Sequence, residues 1–215
     1  MAFRQGNARG GMSHPRARWT EVRTLAVRIA VAVLMVASIL APWWVLIVSW
    51  SNTYVGEIGR SESDFGLLSG SHHARFPGGS LNETLDYRLF PNMAPVFGAA
   101  TWLSLLALGA VVASVFLSPV RRRWASLLAA ISEVCGAVVL LSAAGVVSAF
   151  LPRAATADAG SSGSVFSSFW GSSVLVGSGQ DWFAHWGPGA GWYLALIAGL
   201  LLLFDGLVRL GRRGR

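Results

Sequence analysis

The sequence predicts an all-α membrane protein with four transmembrane helices, cytoplasmic N- and C-termini and two extracytoplasmic loops. Of its 215 residues, 53% are hydrophobic and only 13% are charged, whereas soluble domains carry about 25% charged residues. Twelve of the 17 arginines lie in the two terminal segments and one central turn, a thirteenth, Arg28, lies near the start of the first apolar run, and four lie in the two long loops. Basic segments stay on the cytoplasmic side of a membrane, so this distribution predicts the orientation of every helix.

Four apolar runs predict the helices, at about residues 25–48, 93–117, 124–151 and 191–208. Each is close to the roughly 20 residues that a transmembrane helix needs. A secretory signal peptide is the alternative for the first run. Its uncharged part, residues 29–48, is longer than the roughly 7–15 residues of a signal-peptide core, which favours a retained helix. Pro42, Trp43 and Trp44 near its far end are typical of the aromatic belt at a membrane interface.

The transmembrane domain is therefore predicted over residues 24–208, between a disordered basic tail at 1–23 and a short basic tail at 209–215. Arg121, Arg122 and Arg123 form the turn between the second and third helices. Three consecutive arginines are costly to move across a bilayer, so this turn is predicted to be cytoplasmic.

The two outer loops are predicted at residues 49–92 and 152–190. The first is too long for a simple connection and is expected to have structure of its own. Two short apolar patches, at residues 50–58 and 81–90, are separated by Pro77, Gly78 and Gly79. This pattern predicts a small antiparallel sheet in the first loop.

The second outer loop is rich in aromatic side chains separated by serine and glycine. They are Phe166, Phe169, Trp170, Trp182, Phe183 and Trp186. Rings in such a loop can anchor in the membrane interface, contact a protein partner, or bind a lipid or small molecule. The sequence leaves these three alternatives open, and the six residues are the candidate interface.

Ionisable residues within the predicted helices form a second candidate site. Glu133 lies nine residues into the third run, or about 13 Å from its start. Arg28 in the first run is a candidate partner, and Asp205 and Arg209 in the fourth run have the i,i+4 spacing of a helical ion pair. A structural network, a contact with another subunit and an ion or proton path are the three interpretations.

The sequence predicts no cofactor, no metal and no catalytic residue. All four histidines lie outside the predicted helices, which disfavours a membrane haem. His72, His73, His185 and Asp181 have the chemistry of metal ligands, but adjacent residues of a strand point to opposite faces, which favours solvated histidines. Nucleotide-binding and catalytic sequence motifs are absent, and no nucleic-acid-binding module accompanies the basic tail.

Three short motifs give the chain a resemblance to known membrane proteins. They are Pro42-Trp43-Trp44, Phe65-Gly66-Leu67 in the first loop, and Gly189-Ala190-Gly191-Trp192 at the start of the fourth run. With the four apolar runs they resemble the tetraspan arrangement of claudin-like proteins and of small four-helix actinobacterial membrane proteins. The chain departs from claudins in lacking the paired loop cysteines, since Cys135 is its only cysteine.

These patterns predict a non-catalytic, multi-pass protein of the cell membrane. Its expected partners are the lipid bilayer and a second membrane protein, to which it presents the aromatic outer loops as an accessory subunit or assembly factor. A small transporter or channel component using Glu133 and Asp205 is the main alternative. An outer-face enzyme acting on lipid, with Asp181 and His185 as its acid/base pair, is the third.

Overall fold

The chain combines four α-helices with one six-stranded antiparallel sheet. A computed structural model describes residues 15–52, 56–117, 120, 123–160, 166–176 and 180–211. The helices are α1 (Pro15–Leu40), α2 (Met93–Leu117), α3 (Arg123–Ala159) and α4 (Ala190–Gly211). The strands are β1 (Pro42–Asn52), β2 (Gly56–Gly66), β3 (Gly70–Phe76), β4 (Gly79–Leu85), β5 (Gly171–Val176) and β6 (Gln180–Pro188), with a short 3₁₀ helix at Tyr87–Leu89.

The predicted all-α fold is therefore wrong. The strand order in the sheet is β4-β3-β2-β1-β6-β5, so both predicted outer loops contribute strands to it. β1 and β2 come from the end of the first apolar run and the first loop, whereas β5 and β6 come from the second loop. A sheet was expected in the first loop, but its two predicted strands do not match the observed ones: residues 50–58 span the end of β1 and the start of β2, and residues 81–90 run from β4 into the 3₁₀ helix.

The prediction of four transmembrane helices is also wrong, because only three helices of the described chain are candidate membrane spans. They are Met93–Leu117, Trp124–Ala159 and Ala190–Gly211, and the apolar part of α1, Thr24–Leu40, is shorter. The first helix ends eight residues before its predicted end, since Pro42 cannot donate a helical hydrogen bond. Residues 42–48 continue as a strand, and an apolar run of this length does not distinguish strand from helix by itself.

Other predicted boundaries agree better with the structure. α2 has the predicted bounds, while α3 extends eight residues beyond the predicted end and α4 three residues beyond its own. α1 begins at Pro15, so the second part of the predicted disordered tail is helical. Arg121 and Arg122 of the central turn, residues 1–14 and residues 212–215 lie outside the described residues.

All four helices meet the sheet at the same end. α1 leads into β1 through Ala41, and β6 leads into α4 through Gly189. At the adjacent corner the Asp158 carboxylate of α3 accepts hydrogen bonds from the backbone N–H groups of Asn92 and Met93, at 2.9 and 2.8 Å. A carboxylate at that position caps the N-terminus of α2 and opposes the positive end of its dipole.

A tight junction joins α1, β1, β6 and α4. The Ser38 hydroxyl donates to the Gly191 carbonyl at 2.7 Å, and the Trp43 indole N–H donates to the Ser38 carbonyl at 2.8 Å. A Cβ on Gly191 would lie 2.5 Å from Trp43 Cδ1 and 2.7 Å from the carbonyl oxygens of both Ser38 and Ala41. Only glycine permits this approach of α4 to the end of α1.

Candidate functional site

Four charged side chains from three helices form a polar group that is fully buried at Arg28 and Glu133 and about one-fifth exposed at Asp205 and Arg209. Arg28 and Glu133 are 1% and 0% exposed, and the Arg28 guanidinium donates from Nε to Glu133 Oε1 at 2.5 Å. Arg209 Nε lies 3.6 Å from Glu133 Oε2 and 3.0 Å from Asp205 Oδ2. The structure therefore brings together all four residues that the sequence singled out, and we call them the charge cluster.

The charge cluster pairs two arginines with two carboxylates, so its formal charges cancel. Arg28 comes from α1, Glu133 from α3, and Asp205 and Arg209 from α4. Burying one of these charges alone would cost several kcal/mol, whereas opposed and hydrogen-bonded charges largely offset that penalty. The arrangement fixes the register of α1 against α3 and α4. A role of this kind is what the first of the three interpretations, a structural network of ion pairs, requires.

The sheet carries the second candidate site, since its register separates two chemically different faces. Alternate residues of a strand share a face. Leu46, Val48 and Trp50 of β1 stand opposite Trp186, Ala184 and Trp182 of β6. We call these six residues the apolar sheet face.

The end of the apolar sheet face nearest the helices is covered by aromatic side chains of the second loop. Phe166 packs against Trp44 and Trp186, with ring centroids 5.4 and 4.9 Å apart. The indole N–H of Trp44 donates to the Phe169 carbonyl at 3.0 Å. Phe169 in turn packs on Trp192 of α4 at 5.4 Å. These contacts attach the sheet to the helices.

The far end of the same face is uncovered by the described residues. Trp50 and Trp182 pack side by side with centroids 5.4 Å apart, and Trp182 is 40% exposed. The Trp50 indole lies on Gly59, where a Cβ would come within 2.3 Å of its ring. Eight residues of strand separate Trp50 from Pro42, a distance of about 26 Å at about 3.3 Å per residue.

The opposite face is polar on β2 and β3 and mixed on β1, β5 and β6, where Val45, Ile47, Val174 and Phe183 lie on it. Phe183, next to Trp182 in β6, points to this side and is 37% exposed. The register places it across from Val174 and Ser49, and Arg60, Glu62, His73 and Arg75 lie on the same side of β2 and β3. The opposite face therefore mixes charged and apolar side chains, whereas the apolar sheet face carries no charged residue on β1 or β6.

The six aromatic residues predicted as an interface fall into two groups. Phe166, Phe169 and Trp186 are buried and hold the sheet to the helices, whereas Trp170, Trp182 and Phe183 are exposed. The prediction missed Leu46, Val48 and Trp50, which precede the second loop by more than 100 residues. Val48 and Trp50 alternate with Ser49 and Ser51, which was a signal for a strand, but this short pattern lay at the end of a strongly apolar run.

The histidines and the proposed acid/base pair are not brought together. Among the described residues, no three His, Cys, Asp or Glu side chains lie close enough to hold a metal ion. His72 and His73 lie on β3, three strands away from His185 on β6. Asp181 and His185 are four residues apart on β6, which separates them by about 13 Å and excludes a direct hydrogen bond.

Asp64 is a partly buried carboxylate of the sheet whose pKa is shifted. It lies on β2 opposite Val45 of β1. Desolvation by burial raises its pKa, with a smaller contribution from the Glu62 charge. The folded state therefore favours the protonated carboxyl, so Asp64 lowers stability as the pH rises through this pKa.

Replacing Asp64 by asparagine is accordingly expected to raise the thermal midpoint at pH 7 and to change it little below pH 4. Asparagine keeps the shape of the side chain and removes the charge that burial disfavours. Thermal unfolding of the purified protein over this pH range measures the effect. Equal shifts at both pH values would contradict the assignment, and Glu83→Gln on the exposed edge strand β4 is the control.

Sequence comparisons give no relative from which a function could be transferred. No protein-family model matches the chain, and no curated protein matches its sequence.

Proposed function

We propose that this chain is a non-catalytic, multi-pass protein of the plasma membrane whose sheet binds a second membrane protein through the apolar sheet face. It would act as an accessory or assembly subunit. The single observation that carries the proposal is the uncovered Trp50–Trp182 pair at the far end of this face. Exposed apolar patches with polar surroundings are typical of protein-binding surfaces, and tryptophan is enriched where binding energy is concentrated.

Three helices support the placement in a membrane, because they are long and apolar enough to cross it. The helix ends that meet the sheet adjoin acidic loops, and the opposite ends carry most of the arginines. With the basic ends in the cytoplasm, the sheet would lie outside the cell. A partner would then reach the apolar sheet face from the extracytoplasmic side.

A protein is a better occupant of this face than the bilayer surface. Interfacial tryptophans lie at headgroup level, close to the ends of the spans. Trp43 and Trp44, which were predicted there, are buried inside the protein instead, and Trp50 lies about 20 Å beyond Trp44 along the strand. Ser61 and Ser63 share the apolar face through the β1–β2 register, and such a mixture is typical of a protein interface.

Trp182 and Phe183 provide a matched test, since they are adjacent, similarly exposed and on opposite faces of the sheet. A photoreactive phenylalanine analogue at position 182 is expected to cross-link to one protein in the native membrane. The same analogue at position 183 is expected to give at least about tenfold less of that adduct. Mass spectrometry of the cross-linked product identifies the partner, and binding is then measured with both proteins purified.

With that purified partner, Trp182→Ser is expected to weaken binding by about tenfold to a hundredfold, as for a central interface aromatic. Phe183→Ser should leave the dissociation constant within about twofold. Equal cross-linking from both positions, or lipid adducts alone at position 182, would overturn the proposal. Circular dichroism of each variant verifies that the sheet is intact.

The charge cluster gives the transporter alternative weaker support than the exposed tryptophan pair gives the partner-binding proposal. Each carboxylate has an arginine within ion-pair distance, and Glu133 is fully buried. A conducting site needs a polar route to it, and a groove that Arg28 borders is otherwise lined by apolar residues. Ion flux through reconstituted wild-type protein that is lost in Glu133→Gln would reinstate this alternative.

A further inference from the structure

The edge strand β5 ends the sheet beside the apolar sheet face. Among the described residues β5 pairs with β6 alone, and β6 carries Trp182. Alternate residues of an edge strand direct their N–H and C=O groups away from the sheet. The six residues of β5 therefore leave about three of each group without a strand partner, which is a template for one more strand.

The two edges of the sheet are protected to different degrees. β4, the other edge, is exposed along most of its length and carries Glu83 between Asn82 and Thr84. A charged side chain on an edge strand opposes the addition of another strand. β5 contains neither a charged residue nor a proline, and the whole stretch 159–180 around it lacks both. The sequence therefore disfavours strand addition at β4 and permits it at β5.

The exposed apolar side chains near β5 are not confined to the apolar sheet face. Val174 lies on the face opposite Trp182 and is 55% exposed, and Trp170, directly before the strand, is 62% exposed. Contact with the apolar sheet face alone would leave Val174 in water. Because successive side chains of an added strand point to opposite faces, such a strand packs against Val174 on one face and Ser173 on the other.

We propose that the partner of the apolar sheet face contributes an extended strand that pairs with β5 and lengthens the sheet by one strand. Main-chain hydrogen bonds along β5 supply affinity, and the side chains of the added strand extend the apolar sheet face beyond Trp182. The inference rests on the proposed function and specifies how the partner is held. Phe183 stays about two strand spacings, or 9–10 Å, from the added strand, so the weak cross-linking expected there is unchanged.

A second copy of this chain is a poorer occupant of the edge. All four helices meet the sheet at one end, and antiparallel pairing of two β5 strands would place the helices of the second copy at the opposite end. The two copies could not then lie in one membrane. Parallel strands hydrogen-bond through non-equivalent residues, so parallel pairing of two β5 strands would not close into a two-fold dimer. The strand therefore comes from a different protein.

Photo-cross-linking from the two faces of β5 tests the added strand. The photoreactive phenylalanine analogue is placed in the full chain at position 173, on the face of Trp182, or at position 174, on the other face. In the native membrane, we expect both positions to cross-link to the protein that is captured from position 182. Thr84 is the matched control, since it is exposed, lies on the edge strand β4 and shares the face of Val174. Position 84 should give at least about tenfold less of this adduct.

Proline substitution measures the backbone contribution, with the partner purified. Adjacent residues of a strand direct their N–H groups to opposite sides, so one of Ser172 and Ser173 directs its N–H away from β6. Proline at that residue removes no hydrogen bond of the sheet. Of Ser172→Pro and Ser173→Pro, the variant that keeps the thermal midpoint should therefore bind the partner at least about tenfold more weakly. The control pair is Asn82→Pro and Glu83→Pro on β4, whose sheet-retaining member should bind normally.

Failure of this inference can be told apart from failure of the proposed function. Adducts from positions 182 and 173 with none from 174 would show docking on the face alone and reject the added strand. Normal binding by the sheet-retaining β5 variant would reject it as well, and if neither proline variant folds, the comparison of positions 174 and 84 decides. Absence of a protein adduct from position 182 would reject the proposed function and the added strand with it. An adduct between two copies of the chain would reject the choice of partner.

Discussion

Replacing Arg28 by leucine is expected to destabilise the protein by about 3–5 kcal/mol. The substitution leaves the Glu133 carboxylate buried at 0% exposure with only Arg209, 3.6 Å away, as a counter-charge. Removing one partner of a buried ion pair costs this much because the remaining charge loses both its hydration and its compensation. The midpoint of thermal unfolding in detergent, together with the yield of monodisperse protein, measures the loss.

The double variant Arg28→Leu/Glu133→Leu is the control for this effect. It removes both charges, so most of the stability should return, and the coupling in a double-mutant cycle should exceed about 2 kcal/mol. Single variants within about 1 kcal/mol of the wild type would show that the cluster is hydrated and unimportant for folding. The double variant is also expected to keep the partner cross-link from position 182, since it leaves the sheet unchanged.

Gly191→Ala is the second substitution with a large expected effect. The added Cβ would come within 2.7 Å of two backbone carbonyl oxygens, those of Ser38 and Ala41, and these cannot move without displacing the end of α1. Overpacking commonly costs about 1–3 kcal/mol, and the rigid neighbours here place the expected loss at about 3 kcal/mol or more. Thermal unfolding in detergent measures it.

Gly98→Ala in α2 is the matched control, because no atom lies within 4 Å of the Cβ that it would add. Alanine has the higher helix propensity, so Gly98→Ala should be neutral or stabilise by up to about 1 kcal/mol. A similar loss in both variants would mean that glycine at position 191 is not required by the packing of the junction.

The sequence predicts the helices of this chain better than its sheet. α2 begins and ends where its apolar run does, because that run is bounded by proline and asparagine on one side and by the basic turn on the other. The strand β1 was missed because its residues 42–48 are as apolar as the helix before them. A strand buried near its start does not show clear alternation until Val48 and Trp50, where one face becomes exposed.

Most of the remaining difference between the predicted and the observed fold comes from strands that pair with strands far away in the sequence. β1 pairs with β6, whose paired residues lie 128 to 144 positions later, and nothing in either segment specifies that pairing by itself. The charge cluster could be predicted because ionisable residues are rare in apolar helices and Glu133 had few partners at its depth. The division of the second-loop aromatics into buried and exposed groups depends on the sheet, so composition could not reveal it.

The absence of flexible joints between helices and sheet has a mechanical consequence. One residue connects α1 to β1 and one connects β6 to α4, and the two strands pair along nine residues. A force on the far end of the sheet therefore acts on both helices directly, and α1 and α4 cannot slide past each other without breaking the β1–β6 hydrogen bonds. The sheet behaves as a rigid extension of the α1–α4 pair.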